Sequence, residues 1–135
     1  MTTMMVDSCV ILDIFTEDPV WFEWSSAALA AGSETGRLIM NAAVYAEISA
    51  RFASIEELEA ALPSEYIEYR HIPREAAFLA GKSYIQYRRR GGTRTSPLPD
   101  FFIGAHASVL KIPLITRDVS RYRTYFPELT LISPE

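Results

Sequence analysis

Cysteine and long apolar runs are what this sequence has least of. A single cysteine, Cys9, among 135 residues excludes an internal disulfide, and no Cys/His cluster has the spacing of a zinc finger. No uninterrupted apolar run approaches the roughly 18 residues that a membrane helix needs. The first residues also lack the basic segment of a secretory signal. We therefore expect a cytoplasmic protein with no membrane-spanning segment.

Positive charge is scarce in the first half of the chain. Residues 1–69 contain two basic and 12 acidic residues, whereas residues 70–135 contain 11 basic and five acidic ones. The net charge of −4 is too acidic for a protein that coats nucleic acid nonspecifically. The uneven charge is consistent with a local basic surface beside an acidic one. It is also consistent with solvated charges scattered over the surface without a function.

Apolar and aromatic residues are plentiful. The chain is 49% hydrophobic, with seven Phe, seven Tyr and two Trp, which is enough for a packed core and excludes intrinsic disorder. Its length fits one domain, so we expect residues 1–135 to form a single domain. No repeat, low-complexity tract or linker interrupts it.

Short β-prone apolar runs alternate with helical patterns along the chain. Such alternation predicts βαβ units, hence an α/β fold with a parallel sheet of about five strands and helices on both faces. The predicted strands are residues 4–7, 37–41, 66–72, 112–116 and 129–133.

The predicted helices have recognisable start and stop signals. Asp18 and Pro19 predict a helix start, with Gly32 as its stop. Ser54 begins a capping box for a helix that ends near Leu62. Two further helices are predicted, from Pro73 to Arg90 and from the segment Pro97–Asp100 to Lys111.

Four carboxylates lie next to apolar runs, where an unpaired charge is costly: Asp7, Glu47, Asp100 and Asp118. Each has a structural explanation, because the aspartates could cap helices and Glu47 could pair with a buried arginine. However, Asp7 and Asp118 follow predicted strands, at the sheet edge where open parallel sheets bind ligands. Carboxylates that converge there repel each other unless a cation is bound, and oxygen ligands select Mg²⁺ or Mn²⁺ over zinc.

Motifs around these acids resemble a known family. The segments VDSCVILDIFTEDP, YAEI, PLPDFFIGAHA and LITRDVSRY followed by YFPELTLISP are similar, in order and spacing, to those of PIN-domain ribonucleases, particularly the VapC toxins of toxin–antitoxin pairs. The resemblance covers about Met4 to Pro134. It implies a three-layer α/β/α sandwich and a Mg²⁺- or Mn²⁺-dependent endoribonuclease. It also implies a homodimer and a VapB-like antitoxin that covers the active cleft.

The sequence departs from the family pattern at Cys9, where a small or hydroxyl residue is more usual, and at Leu98-Pro99. Neither departure removes a carboxylate. The resemblance implies that Asp7 and Asp100 bind the metal most directly. It also implies that Glu47 and Asp118 contact metal-bound water or a second metal position.

Other residues receive roles from the same resemblance. Ser8 and Thr116 would hold waters or orient carboxylates, although either hydroxyl could instead cap a helix. Four arginines near the end of the 73–90 helix would contact phosphates. Arg117 and its neighbours Arg121 and Arg123 would add positive charge beside Asp118. Arginines at a helix end also interact favourably with the helix dipole. The four are Arg88, Arg89, Arg90 and Arg94.

Trp21, Phe22 and Trp24 cannot all face one core, so we expect at least one to be exposed or covered by a partner. Trp21 and Trp24 are the predicted contacts of the antitoxin. The two histidines, His71 and His106, are interpreted as structural.

Three other functions compete with that of a ribonuclease. A haloacid-dehalogenase phosphatase needs a second aspartate two positions after Asp7, and Cys9 occupies that position. A non-catalytic PIN-like binding module would be expected to have lost some of the four acids. A DNA-directed metal nuclease would use the same acids, so the spacing alone does not decide between RNA and DNA.

Overall fold

A five-stranded parallel sheet forms the centre of the protein. The computed structural model describes residues 2–62, 66–91 and 98–134. The strands are arranged in the order β3-β2-β1-β4-β5, and every neighbouring pair is parallel. Their bounds are β1 (Thr2–Val6), β2 (Gly36–Met40), β3 (Ile67–Tyr69), β4 (Leu114–Ile115) and β5 (Leu131–Ile132).

Seven helices of the described part flank this sheet, which confirms the predicted α/β/α class. They are α1 (Ser8–Phe15), α2 (Phe22–Thr35), α3 (Ala42–Ser49), α4 (Ile55–Ala61), α5 (Arg74–Arg89), α6 (Leu98–Leu110) and α7 (Val119–Tyr125). Among residues 2–62, 66–91 and 98–134, no helix is long and apolar enough to span a membrane.

The central strand β1 explains why its sequence is an unbroken apolar run. Met4, Met5 and Val6 are all buried, because a strand covered on both faces needs apolar side chains in both directions. Met5 lies opposite Ile39 of β2 on one side and Leu114 of β4 on the other.

The strand order places a crevice at the carboxyl end of β1. The chain first builds outward from β1 to β3, and then crosses back to start β4 on the other side of β1. This reversal is the kind of point at which open parallel sheets bind ligands. The residues that follow β1 and β4 therefore meet at one edge.

The start and end of α2 differ from the sequence-based prediction. One carboxylate oxygen of Asp18 accepts hydrogen bonds from the backbone N–H groups of Val20 and Trp21, so residues 18–21 form a turn and the helix begins at Phe22. Gly32 lies inside the helix, which continues to Thr35. A Cβ at Gly32 would lie 2.8 Å from Leu38 Cδ2, so this glycine is there for close packing of the helix on β2 and not as a stop.

The aromatic residues at the start of α2 are only partly exposed. Trp21, Phe22 and Trp24 are each partly buried, and Val20 is instead the exposed apolar residue of this segment, at 72%. Each of the three rings keeps some exposed surface in this chain, so the expectation that at least one is exposed or covered by a partner stays a prediction.

Other predicted boundaries are close to the observed ones. Ser54 Oγ accepts a hydrogen bond from the backbone N–H of Glu57 at 3.2 Å, as a capping residue should. Pro73 directly precedes α5, and Arg90 directly follows it. The strands β3, β4 and β5 are shorter than the apolar runs that predicted them, at three, two and two residues.

Candidate metal centre

Asp7 lies directly after β1 and caps α1. Its Oδ1 accepts the backbone N–H of Ser8 at 2.8 Å, while its own N–H donates to the carbonyl of Ile115 at the end of β4. The side chain is therefore fixed between the two central strands, at the crevice that the strand order creates.

The second carboxylate oxygen of Asp7 is held by side-chain donors. Oδ2 accepts the Thr116 hydroxyl at 2.8 Å and the Tyr122 hydroxyl at 3.0 Å, with the Cys9 thiol at 3.6 Å. Burial raises the pKa of Asp7, although each of these donors opposes the shift. Since Oδ1 accepts only one N–H among the described residues, it retains a lone pair for a cation.

Glu47 approaches the same point from α3. Asn41 caps this helix by accepting the N–H groups of Ala43 and Val44, and Ser8 Oγ donates to Glu47 Oε1 at 2.8 Å. Burial, with the negative charges of Asp100 and Asp7, raises the pKa of Glu47 to about 6.

Asp100 lies in the first turn of α6. Its Oδ2 accepts a hydrogen bond from the guanidinium of Arg121. Burial raises the pKa of Asp100 to about 6 in spite of this cation.

Asp7, Glu47 and Asp100 form one group. Each provides a carboxylate oxygen, and these three oxygens lie within 4.8 Å of one another. Closely spaced carboxylates form the oxygen-only ligand set that Mg²⁺ and Mn²⁺ prefer. The residues present therefore fit a divalent cation.

Asp118 is not part of this group of three. Its side chain is 48% exposed, and it is connected to the group through Arg121, whose Nε lies 3.8 Å from Asp118 Oδ2. Asp7 directly follows its strand, whereas Asp118 follows the end of β4 by three positions and so lies at the rim. The predicted meeting of four carboxylates is thus observed for three.

Both predicted hydroxyl residues contact a carboxylate. Ser8 donates to Glu47 and Thr116 donates to Asp7, while Thr116 Oγ1 also accepts the N–H of Asp118 at 3.0 Å. Thr116 therefore connects the loop after β4 to the carboxylate at the end of β1.

A buried polar contact connects the start of α3 to α6. Asn41 Nδ2 lies 3.1 Å from Nδ1 of His106, which is 1% exposed. Because the Asn41 oxygen already accepts two N–H groups, its amide nitrogen is the donor and the imidazole is neutral. Burial lowers the pKa of His106, in agreement with this state. His106 thus supports the helices that carry Glu47 and Asp100.

Arg117, a predicted phosphate contact, is engaged elsewhere. Its guanidinium makes two hydrogen bonds of 2.8 Å to the buried carboxylate of Asp13 and lies 5.4 Å from the ring centroid of Trp21. Ser25 donates to the same carboxylate at 2.7 Å. This cluster joins α1, α2 and the loop that carries Thr116.

The other predicted phosphate contacts are at the end of α5. Arg88, Arg89 and Arg90 are exposed, and the guanidinium carbon of Arg90 lies 5.7 Å from the ring centroid of Tyr125. Arg94 falls outside the described residues. The end of α5 therefore presents a basic surface, and α5 is the helix that precedes Asp100 in the sequence.

No sequence motif indicates Tyr122, and Arg121 is recognisable from the sequence only as positive charge beside Asp118. Tyr122 is 115 positions from Asp7, and nothing in its own segment indicates a contact over that distance. Arg121 does carry a signal, because a basic residue three positions after Asp118 on a helix lies on the same face.

No curated protein matches this chain. Solved structures with the same fold include VapBC2 from Rickettsia felis bound to a promoter DNA fragment (15% identity, TM-score 0.74) and VapBC-1 from nontypeable Haemophilus influenzae (20%, 0.73), each covering 98% of both chains. FitAcB from Neisseria gonorrhoeae is 19% identical over 97% of both chains, with a TM-score of 0.67. The PIN domain family model matches residues 4–127, and so the chain belongs to the PIN domain family.

Proposed function

We propose that this protein is a VapC-type toxin, a divalent-metal-dependent endoribonuclease of a toxin–antitoxin pair. The observation that carries the proposal is the group formed by Asp7, Glu47 and Asp100 at the switch point of a PIN-family sheet. Carboxylates with raised pKa values, placed in a crevice, are typical of functional sites.

The three grouped acids would hold Mg²⁺ or Mn²⁺, with Asp118 contacting metal-bound water at the rim. When bound, the cation would activate a water molecule and stabilise the charge that develops during phosphodiester hydrolysis. Asp7 would present Oδ1 to the ion, because Oδ2 is held by Thr116 and Tyr122. Ser8 would fix the orientation of Glu47 in the same way.

The substrate would meet positive charge beside the acids. Arg88, Arg89 and Arg90 lie exposed at the end of α5, and we assign phosphate contacts to them. Arg94 stays a prediction of the same role from sequence. Arg117 would need to release Asp13 before it could contact RNA, so we give it a supporting role in the loop that carries Thr116 and Asp118.

Partners are proposed from the family resemblance. Several structures of this fold are VapBC complexes, which supports a VapB-like antitoxin as the partner of this chain. Trp21 and Trp24, each partly buried on α2 or next to it, are the proposed antitoxin contacts. We further propose a single-domain protein that forms a homodimer and acts in the cytoplasm.

Cleavage of labelled single-stranded RNA with Mg²⁺, Mn²⁺ or EDTA tests the nuclease proposal. We expect cleavage with a metal, none in EDTA, and a loss of at least about 100-fold in Asp100→Asn, since this change removes a charged ligand. Glu56→Gln, an exposed acid on α4, is the matched control and should cleave normally.

Two outcomes would contradict the proposal. Cleavage of single-stranded DNA but not RNA would favour a DNA-directed nuclease. No metal-dependent cleavage of either, with Mn²⁺ binding absent by calorimetry, would favour a non-catalytic binding module.

A further inference from the structure

A cleft of about 260 Å³ opens directly beside Asp100. Four aromatic side chains line it, and Asp100 and Arg121 lie at one side. We call it the aromatic cleft; its aromatic residues are Tyr87, Phe101, Tyr125 and Phe126. It lies between the end of α5, the start of α6 and α7.

The rings of the aromatic cleft pack into one cluster. The ring centroid of Tyr125 lies 5.5 Å from that of Phe101 and 6.0 Å from that of Tyr87. Phe101 and Phe126 are buried, whereas Tyr87 and Tyr125 are only partly buried. The phenylalanines therefore support the two tyrosines, whose rings form the accessible part of the lining.

Positive charge lies next to Tyr125 and in the lining of the cleft. Arg90 is placed over its ring, and the guanidinium of Arg121 lines the cleft while pairing with Asp100. The Arg121 side chain is 44% exposed, so it can reach a ligand without leaving a buried position. The hydroxyls of Ser120 and Thr124 complete the lining as hydrogen-bonding groups.

We propose that the aromatic cleft binds the nucleobase next to the scissile phosphodiester of a single-stranded nucleic acid. The inference rests on the proposed function, because it needs a phosphate at the acid group, which consists of Asp7, Glu47 and Asp100. Asp100 belongs both to the acid group and to the cleft, so a phosphate bound at the former places the neighbouring nucleotide at the latter. The base would stack on the tyrosine lining, and Arg121 and Arg90 would contact its flanking phosphates.

Charge complementarity favours a nucleotide over an apolar side chain of a protein partner. An apolar side chain would fill the space between the rings but would gain nothing from two guanidinium groups. A nucleotide matches the cleft on both counts, because it combines a π face with negative phosphates.

Fluorescence anisotropy with a short labelled single-stranded RNA tests the proposal. Ca²⁺ replaces Mg²⁺, and a gel confirms that the RNA stays intact. Tyr125→Ala should weaken binding by about 5- to 150-fold, the usual effect of losing one base–aromatic stack, whereas Tyr125→Phe keeps the ring and should bind within about twofold. Phe78→Ala is the matched control, because this ring is 66% exposed on α5 and does not line the cleft.

A second arm begins with the wild-type protein, so its first step does not depend on the folding of a variant. RNAs with one abasic position each are scanned, and one position should lose as much affinity as Tyr125→Ala does. At that position, Tyr125→Ala should cause no further loss, since both changes remove the same contact.

The proposal is overturned, while RNA binding itself survives, if folded Tyr125→Ala binds RNA as tightly as the wild type. It is also overturned if Tyr125→Ala and every abasic position lower the affinity independently of each other. Loss of antitoxin affinity with unchanged RNA affinity would assign the cleft to the protein partner and overturn it as well. No binding of RNA by the wild-type protein in Ca²⁺ or Mg²⁺ would refute the nuclease proposal together with this one.

Discussion

The hydrogen bond from Tyr122 to Asp7 should contribute much more to stability than a similar bond at the surface. Tyr122 is 1% exposed, and its hydroxyl donates to a buried carboxylate at 3.0 Å. Tyr45 donates to Glu59 at 2.6 Å, but this pair is exposed. The variants Tyr122→Phe and Tyr45→Phe each remove one hydroxyl and leave the ring, so they differ mainly in the surroundings of the carboxylate.

The expected magnitudes differ accordingly. A hydrogen bond to a charged group contributes about 1.5–3 kcal/mol, and Asp7 has no bulk water to replace the lost donor. Glu59 can exchange its lost partner for water, so Tyr45→Phe should cost less than about 1 kcal/mol. For a chain of this length, Tyr122→Phe should lower Tm by about 5–10 °C.

Thermal unfolding of both variants without divalent metal, followed by circular dichroism, measures this difference. Mn²⁺ titration calorimetry then tests the consequence for the site. Because Tyr122 orients Asp7, we expect Tyr122→Phe to weaken Mn²⁺ binding by about tenfold and Tyr45→Phe to leave it unchanged. Equal Tm values for the two variants would refute the reasoning, since the buried bond would then contribute no more than the exposed one.

Two further predictions concern charge. Because the pKa of Glu47 is raised to about 6, the contribution of Glu47 to the stability of the metal-free protein is fully present below pH 4.5 and is lost as the pH rises through 6. The Tm of Glu47→Gln minus that of the wild type should therefore increase from pH 4.5 to 7. A difference independent of pH would contradict this. Arg121 competes with a cation for Asp100, so Arg121→Gln should bind Mn²⁺ about two- to fivefold more tightly. Arg123→Gln removes the same charge from the same helix, and an equal gain there would show that only net charge matters.

The architecture and most of the acid group follow from the sequence for a simple reason. Alternating apolar runs and helical patterns predict a parallel sheet, and the carboxyl ends of parallel strands share one edge. Asp7 ends such a run, so its position was predictable without any side-chain contact. Glu47 and Asp100 were identified because each is an acid in an otherwise apolar helix.

What the sequence does not reveal is how side chains pair across the fold. Arg117 looks like a phosphate contact beside Asp118, but the buried Asp13 needs a cation and Arg117 supplies it. The signal was available, since Asp13 interrupts the apolar helix that follows β1. Asp118 lies outside the close group because its distance from the end of β4 depends on the loop, which periodicity does not describe. The end of α2 was misplaced because Gly32 serves close packing on Leu38.

The hydrogen bonds at Asp7 have a consequence for the timing of site assembly. Asp7 receives its donors from Thr116 and Tyr122, which are 109 and 115 positions further along the chain. Contacts of such long range close the largest loops in the chain and depend on nearly all of it being in place. During synthesis, the carboxylate at position 7 is made early but is not held in position until residue 122 has emerged from the ribosome. A nascent chain therefore carries all three grouped acids before it has the contacts from Thr116 and Tyr122 that hold Asp7 in position.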